Sequence, residues 1–222
     1  MVHILYTNIN KCFLINSWDS YLKKLPIEVK EYILKFQKQN DKLRVLCGKL
    51  LLQKALEGIG KAYLINAIQF DQYKRPFVSK DVDFNISHSG KYVVCSLSTT
   101  SEISSGEALI SVNRIGIDIE KKRAVQYDEF ERVFTADELQ LIKEDQNPTD
   151  KFFEFWTMKE AVMKADGRGF HLSPASFTVL NNRIVIDDKT WYLNRIQIDK
   201  EYDCHVATEF LASDLKIKEI IF

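Results

Sequence analysis

KFFEFWTMKEAVMKADG, residues 151–167, is the stretch that says most about how this chain folds. Four side chains recur in it at spacings of three and four residues: Phe153, Trp156, Glu160 and Met163. Residues so spaced share one face of a helix, and this face is apolar except for Glu160. Gly167 follows, and glycine commonly ends a helix because it tolerates the left-handed conformation. The stretch therefore predicts a helix over 151–165 that packs against a core.

Glu160 interrupts the apolar face of this helix, and two explanations for it stand side by side. A carboxylate in apolar surroundings is costly unless something compensates its charge. Lys164 follows four residues later and can form an intrahelical pair. The alternative is a metal ion held between the helix and a neighbouring element. The choice between the two explanations depends on which other side chains of residues 116–167 lie beside Glu160.

The segment GIDIE, residues 116–120, alternates apolar and acidic residues as a half-buried strand does. Asp118 and Glu120 then point to one face, and Ile117 and Ile119 point to the other, toward a core. The two acids form either a solvated face or, together with Glu160, a site of hard oxygen ligands. Such ligands suit Mg²⁺ or Mn²⁺, and Mg²⁺ usually completes its shell with water and substrate phosphate. The second interpretation predicts a phosphate-bearing substrate.

The segment NISHSG, residues 85–90, gathers small polar groups at the end of a predicted strand. Ser87, His88 and Ser89 either hold a phosphate or belong to a hairpin turn capped by its own serines. Four basic residues are candidates for the same anion: Arg44, Arg75, Lys159 and Lys164. They would give a localised anion pocket to a chain whose overall charge is balanced.

The order of predicted elements indicates an α+β fold made of two similar halves, each with helices followed by paired strands. Helices are predicted over 27–36, 41–56, 127–134 and 151–165, and strands over 2–6, 84–87, 92–98, 109–120, 177–180, 183–187, 191–198 and 204–210. Thr135 and Glu138 have the spacing of a capping box that opens a further helix. Residues 99–106 are rich in Ser, Thr and Glu, so we expect halves 1–108 and 109–222.

Composition narrows the function classes. The 222 residues include 31 basic and 31 acidic side chains, which gives no general argument for nucleic acid or an anionic membrane as a partner. No stretch approaches the about 20 apolar residues of a membrane span, and the N-terminus lacks a basic leader, so we expect a cytoplasmic protein. The four cysteines, at positions 12, 47, 95 and 204, form no CxxC pair, which argues against zinc.

Together the motifs resemble those of the 4′-phosphopantetheinyl transferases, specifically the larger monomeric branch typified by the surfactin-synthetase activator. The matching segments are FNISHSG at 84–90, GIDIE at 116–120 and WTMKEAVMKADGRG at 156–169. DKLRVLCGKLLL at 41–52 is similar to the family's arginine-containing helix, and QYKRPF at 72–77 to its lysine–proline turn. The turn departs from the usual Gly-Lys-Pro, because here it reads Lys74-Arg75-Pro76.

The resemblance implies two pseudo-symmetric α+β halves with coenzyme A and Mg²⁺ or Mn²⁺ in the cleft between them. It implies these metal ligands: Asp118, Glu120 and Glu160. It implies these contacts to coenzyme A: Arg44, Arg75, Ser87, His88, Ser89, Lys159 and Lys164. Glu138 matches a further acidic position to which a metal or catalytic role is sometimes given.

The activity so implied moves 4′-phosphopantetheine from coenzyme A to a serine hydroxyl of an apo acyl or peptidyl carrier protein. Glu160, Lys164 and His88 are the expected catalytic residues, and a monomer is the expected state. No nucleic acid or membrane is expected as a partner. Two other functions would use the same residues: a coenzyme A-binding regulatory protein without transfer activity, and a metal-dependent pyrophosphate hydrolase.

Overall fold

The structure, a computed structural model, describes residues 1–12, 18–23, 25–100, 112–212 and 214–222. Its helices are α1 (Trp18–Leu22), α2 (Ile27–Leu34), α3 (Gln39–Gly58), α4 (Ala136–Glu144) and α5 (Pro148–Asp166). Its strands are β1 (Val2–Asn8), β2 (Gln69–Phe70), β3 (Pro76–Phe77), β4 (Val82–Ser89), β5 (Tyr92–Thr99), β6 (Ile115–Lys121), β7 (Arg183–Ile186), β8 (Lys189–Arg195), β9 (Tyr202–Thr208) and β10 (Leu215–Glu219). The predicted α+β class is confirmed.

The first four-stranded sheet has the order β10-β1-β5-β4. β5 runs antiparallel to both of its neighbours, whereas β10 pairs in parallel with β1. Helix α3 packs on this sheet through buried leucines. Because β10 comes from the end of the chain, residues 215–219 belong to the sheet of the N-terminal half, which corrects the expected division. The expected boundary at 108/109 lies outside the described residues.

The second four-stranded sheet has the order β6-β9-β8-β7 and is antiparallel throughout. Helix α5 packs across β6 and β9 with its apolar face in the core. Gly116 allows this close approach, because a Cβ there would lie less than 3.0 Å from the backbone of Ala161, Lys164 and Ala165. The strand that carries the acidic pair is thus pressed against the helix that carries Glu160.

The two sheets meet where edge strand β4 faces edge strand β6, and side chains replace the usual backbone pairing there. Alternate residues of β4 accept hydrogen bonds from alternate N–H groups of β6. The pairs are Asp83 with Ile115 at 2.8 Å, Asn85 with Ile117 at 3.0 Å, Ser87 with Ile119 at 3.4 Å, and Ser89 with Lys121 at 3.0 Å. We call this row of four contacts the side-chain ladder. It fixes the position of β6 relative to the first half.

Several local predictions are confirmed and others are wrong. The capping box of Thr135 and Glu138 forms, and Gly167 ends α5 with a φ of 89°. The strand predicted over 177–180 does not form, and residues 174–176 make a 3-10 turn instead. Residues 127–130 likewise form a 3-10 turn rather than part of a longer helix. Within the described ranges, no helix has both the length and the apolar character that crossing a membrane requires.

Candidate functional site

A cavity of about 330 Å³ opens where β4, β6 and α5 meet. It is lined by Ile86, Ser87, His88, Asp118, Glu120, Trp156, Glu160 and Lys164. Six of these eight residues were predicted from the sequence as site residues. Ile86 and Trp156 were not, because apolar lining residues carry no chemical signature in a sequence. The structure therefore brings the predicted acids, the histidine and one of the predicted lysines into one place.

Asp118 is the most enclosed of the three acids, with 3% of its surface exposed. Its Oδ1 accepts hydrogen bonds from Lys164 Nζ at 2.6 Å and from Ser87 Oγ at 2.8 Å. Its Oδ2 is buried and has no hydrogen-bond partner among the described residues. The interpretation of the acidic pair as a solvated face is therefore wrong for Asp118, since a buried unpaired carboxylate oxygen calls for a positive partner.

Glu120 and Glu160 are partly buried in the same cavity. Burial raises the pKa of Glu120, and the negative charge of Asp118 adds to the increase. Burial likewise raises the pKa of Glu160, where Lys164 opposes the increase and Asp118 and Glu120 add to it. The charge of Asp118 thus adds to the destabilisation of both charged glutamates, and a cation beside them would relieve this.

Lys164 supplies the nearest positive charge to these acids. Besides Asp118, its ammonium donates to Ser87 Oγ at 3.1 Å and to the Ile117 carbonyl at 3.3 Å. Burial alone would lower the pKa of Lys164, but the carboxylates of Asp118, Glu160 and Glu120 outweigh that effect and leave the pKa raised. The intrahelical pair with Glu160 is therefore not its main contact, because Lys164 reaches across to β6.

The three carboxylates provide the oxygen donors that a hard cation prefers, and Asp118 has an unused buried oxygen for it. They share the cavity without forming a ready-made coordination sphere. Among the residues that the structure describes, no three acidic, histidine or cysteine side chains are close enough together to hold a metal ion. The donor chemistry fits Mg²⁺, with the remaining ligands left to water and phosphate.

His88 lines this cavity, and Arg44 lies near His88. Desolvation lowers the pKa of His88, and the positive charges of Arg44 and Lys164 contribute to the decrease. Arg44 holds the turn after β4, because its Nε and Nη2 donate to the Gly90 carbonyl at 2.9 and 2.8 Å. Its Nη1 pairs with Asp41 at 2.7 Å.

The predicted hairpin turn joins β4 to β5, but it is not capped by its own serines. β4 continues through Ser89, and the turn follows it at Gly90. Ser87 and Ser89 bond to β6 rather than to their own turn. Ser89 does not line the cavity. Its hydroxyl instead donates to Glu120 Oε2 at 2.7 Å.

A second cavity of about 210 Å³ shares two lining residues with the first, Glu160 and Lys164. Arg75 lines this cavity, but its guanidinium is used inside the protein. It forms two bonds of 2.7 Å to the Asp83 carboxylate and donates to the Lys164 and Ile115 carbonyls at 3.0 and 2.9 Å. These contacts join the two halves of the chain, and the expected contact of Arg75 with coenzyme A stays a prediction.

Lys74, next to Arg75, lines the same cavity with an exposed side chain and a φ of 64°. Sequence reasoning missed it as a candidate basic group. The signal was present in the departure from Gly-Lys-Pro, because a glycine at that position indicates a left-handed backbone. The charge that the turn presents to solvent is therefore that of Lys74.

Lys159 is 1% exposed and points away from the acids, which corrects its prediction as a coenzyme A contact. Its ammonium pairs with Glu138 at 2.9 Å and donates to the Pro174 and Phe177 carbonyls at 2.8 and 2.6 Å. Glu138 also accepts from the Val179 N–H at 2.7 Å. The Lys159–Glu138 pair joins α4, α5 and the segment after them. Glu138 therefore has a structural role in this part of the protein.

Two family descriptions match most of the chain between them. Residues 114–213 match the 4′-phosphopantetheinyl transferase superfamily, and residues 14–100 match the family described as 4′-phosphopantetheinyl transferase, N-terminal. The N-terminal match thus ends at residue 100, within the Ser-, Thr- and Glu-rich segment 99–106, and the other match begins at residue 114.

Individual relatives agree with these descriptions. A 4′-phosphopantetheinyl transferase of Bacillus subtilis is 33% identical over 170 residues, which are 72% of this chain and 68% of that protein. The 4′-phosphopantetheinyl transferase Sfp of Bacillus subtilis (strain 168) is 30% identical, with 72% and 68% covered. The L-aminoadipate-semialdehyde dehydrogenase-phosphopantetheinyl transferase of Rattus norvegicus is 26% identical, with 86% and 69% covered. The chain thus spans about two thirds of the length of these relatives.

Proposed function

This chain belongs to the 4′-phosphopantetheinyl transferase superfamily, and we propose that it transfers the 4′-phosphopantetheine of coenzyme A to a serine hydroxyl of an apo carrier protein. One observation links this activity to particular residues. The cavity between β4, β6 and α5 gathers three carboxylates, a lysine and a histidine from both halves of the chain. We propose a monomer as the functional unit, because elements of both halves of one chain line this cavity.

We propose Asp118, Glu120 and Glu160 as the ligands of a Mg²⁺ ion, for which Mn²⁺ can substitute. The unpartnered Asp118 Oδ2 and the raised pKa values of both glutamates support this assignment. Asp118, Glu120 and Glu160 would hold the ion, and its positive charge would help to offset the negative charge that develops on the leaving oxygen. Electroneutrality at this cluster thus depends on the ion and on Lys164 together.

The proposed transfer needs little covalent work from the protein. The carrier serine oxygen attacks the β-phosphorus of coenzyme A, the bond to the bridging oxygen breaks, and 3′,5′-ADP leaves. Lys164 and His88 orient the pyrophosphate and stabilise its charge from the cavity wall. We propose Glu160 as the general base that takes the serine proton.

Ser87 lines the first cavity and the exposed Lys74 lines the second, and we propose both as further contacts to coenzyme A. The buried pair of Lys159 with Glu138 leaves this lysine outside the contact set. We propose that the two halves divide the work as expected from the sequence. The first half contributes Ser87 and His88, and the second contributes the acids and Lys164.

The test is to incubate the protein with coenzyme A, Mg²⁺ and an apo carrier protein and to weigh the intact carrier. The carrier should gain the mass of one phosphopantetheinyl group, and a carrier with alanine in place of its acceptor serine should gain nothing. Release of 3′,5′-ADP without carrier modification would instead show a pyrophosphate hydrolase. Binding of coenzyme A with neither product would show a regulatory protein.

A further inference from the structure

Ser89 is the last rung of the side-chain ladder, and its hydroxyl makes two contacts with β6. It accepts a hydrogen bond from the Lys121 N–H at 3.0 Å and lies 2.7 Å from Glu120 Oε2. A serine hydroxyl has a single proton. Because the Lys121 amide must be the donor in the first contact, the hydroxyl proton is directed to Glu120 in the second.

The same arrangement occurs two residues earlier, at Ser87. Its hydroxyl accepts from the Ile119 N–H at 3.4 Å and donates to Asp118 Oδ1 at 2.8 Å. Each serine thus bonds the amide of the residue that follows an acid and also bonds the acid itself. The repeat follows from two strands that both alternate with a period of two residues.

From this repeat we propose that Ser89 is a positioning residue that orients the Glu120 carboxylate for cation binding. This inference rests on the proposed function, because it concerns the same carboxylates. Ser89 does not line the cavity, so it acts through Glu120 rather than on a phosphate.

Contacts to Glu120 support the same role. In the part of the chain that the structure describes, both polar contacts go to Oε2, from Ser89 at 2.7 Å and from Arg123 at 3.6 Å. Oε1 is then the oxygen left for a cation, just as Oδ2 is at Asp118. Side chains that orient metal ligands typically contribute about 10- to 100-fold to metal affinity.

The inference is tested by titrating Mn²⁺ into the full chain without coenzyme A and following free Mn²⁺ by electron paramagnetic resonance. Without coenzyme A, a serine that merely contacts phosphate has no effect on the titration. Ser89→Ala should weaken Mn²⁺ binding about tenfold, and Ser89→Thr should restore it because threonine keeps the hydroxyl. Ser79→Ala is the matched control. Ser79 also donates a hydrogen bond to a carboxylate, Asp81 Oδ1, at 2.6 Å, but this pair does not line the cavity.

Carrier modification by the same preparations separates the possible failures. If Ser89→Ala binds Mn²⁺ as the unmodified chain does and only its KM for coenzyme A rises, Ser89 is a phosphate contact and the inference is wrong. The inference is also wrong if the protein without substitutions modifies the carrier but binds no Mn²⁺. If the unmodified chain does not modify the carrier at all, it is the proposed function that fails.

Discussion

Lys164 Nζ lies 2.6 Å from Asp118 Oδ1, across the contact between α5 and β6. The sequence distance between these residues is 46, so only the fold brings them together. The pair sets a fixed positive charge among three acids, next to the Ser87 hydroxyl. The same pair therefore belongs to the candidate site and also holds α5 against β6.

Lys164→Met should reduce the rate of carrier modification by about 100-fold or more, since removing one charged transition-state contact costs roughly 3 kcal/mol. The measurement is kcat for carrier modification at saturating coenzyme A and Mg²⁺. Lys54→Met is the control, because Lys54 lies on the exposed side of α3 and pairs with Glu57. A Lys164→Met rate within threefold of the unmodified rate would exclude a role for this charge in transfer.

Lys159→Met should destabilise the protein by about 3–5 kcal/mol, because it leaves the buried Glu138 without its counter-ion. The measurement is the free energy of unfolding in urea. Breaking the solvent-exposed Lys54–Glu57 pair with Lys54→Met should cost about 1 kcal/mol or less. Equal losses in the two variants would contradict a structural role for Lys159.

Gly116→Ala should destabilise the protein by about 3 kcal/mol or more and lower the transfer rate. The new Cβ would meet backbone atoms of α5, which cannot move aside by changing a rotamer. Glu160 on α5 would therefore be displaced from Asp118 on β6. Gly58→Ala, at the end of α3 where nothing lies within 4 Å, should be neutral or stabilise by up to about 1 kcal/mol. Unfolding in urea measures both, and a Gly116→Ala protein as stable as Gly58→Ala would contradict the close packing.

His205 predicts how stability changes in acid. Burial lowers its pKa to about 3 from an ordinary value of 6.5, and its Nδ1 is hydrogen-bonded to Thr157 Oγ1 at 2.8 Å. Between pH 6.5 and 3 the unfolded chain binds a proton at this residue and the folded chain does not. The free energy of unfolding therefore falls as the pH falls through that range, by up to about 1.4 kcal/mol per pH unit from this group.

His205→Asn removes that group and should make the decline with falling pH shallower by the same amount. Urea unfolding at several pH values between 7 and 4.5 measures the two slopes. Parallel slopes for the variant and the unmodified protein would show that His205 does not remain neutral in the folded state.

The acids of the site could be predicted because their sequence patterns are local. Alternation in GIDIE places Asp118 and Glu120 on one face, and the apolar stripe of α5 makes Glu160 conspicuous. Both patterns lie within short continuous segments, and no partner from elsewhere in the chain is needed to recognise them. The structure then brings all three to one cavity.

The basic residues could not be assigned in this way, because the direction of a long side chain depends on partners elsewhere in the chain. Arg75 is held by Asp83 and two carbonyls, and Lys159 by Glu138 and two others. A carbonyl acceptor has no signature in a sequence, since every residue has one. The parallel pairing of β10 with β1 escaped prediction for a similar reason, as it joins opposite ends of the chain.

The most direct test of the proposed metal site is the rate of carrier modification as a function of Mg²⁺ concentration for Asp118→Asn. Asparagine keeps the shape of the side chain and removes its charge. Asp150→Asn is the control, because Asp150 is mostly exposed and pairs with Lys122 at 3.2 Å. We predict a rate at least about 100-fold lower for Asp118→Asn at limiting Mg²⁺, with Asp150→Asn unchanged. Near-normal turnover of Asp118→Asn at limiting Mg²⁺ would contradict the assignment of these carboxylates to the metal.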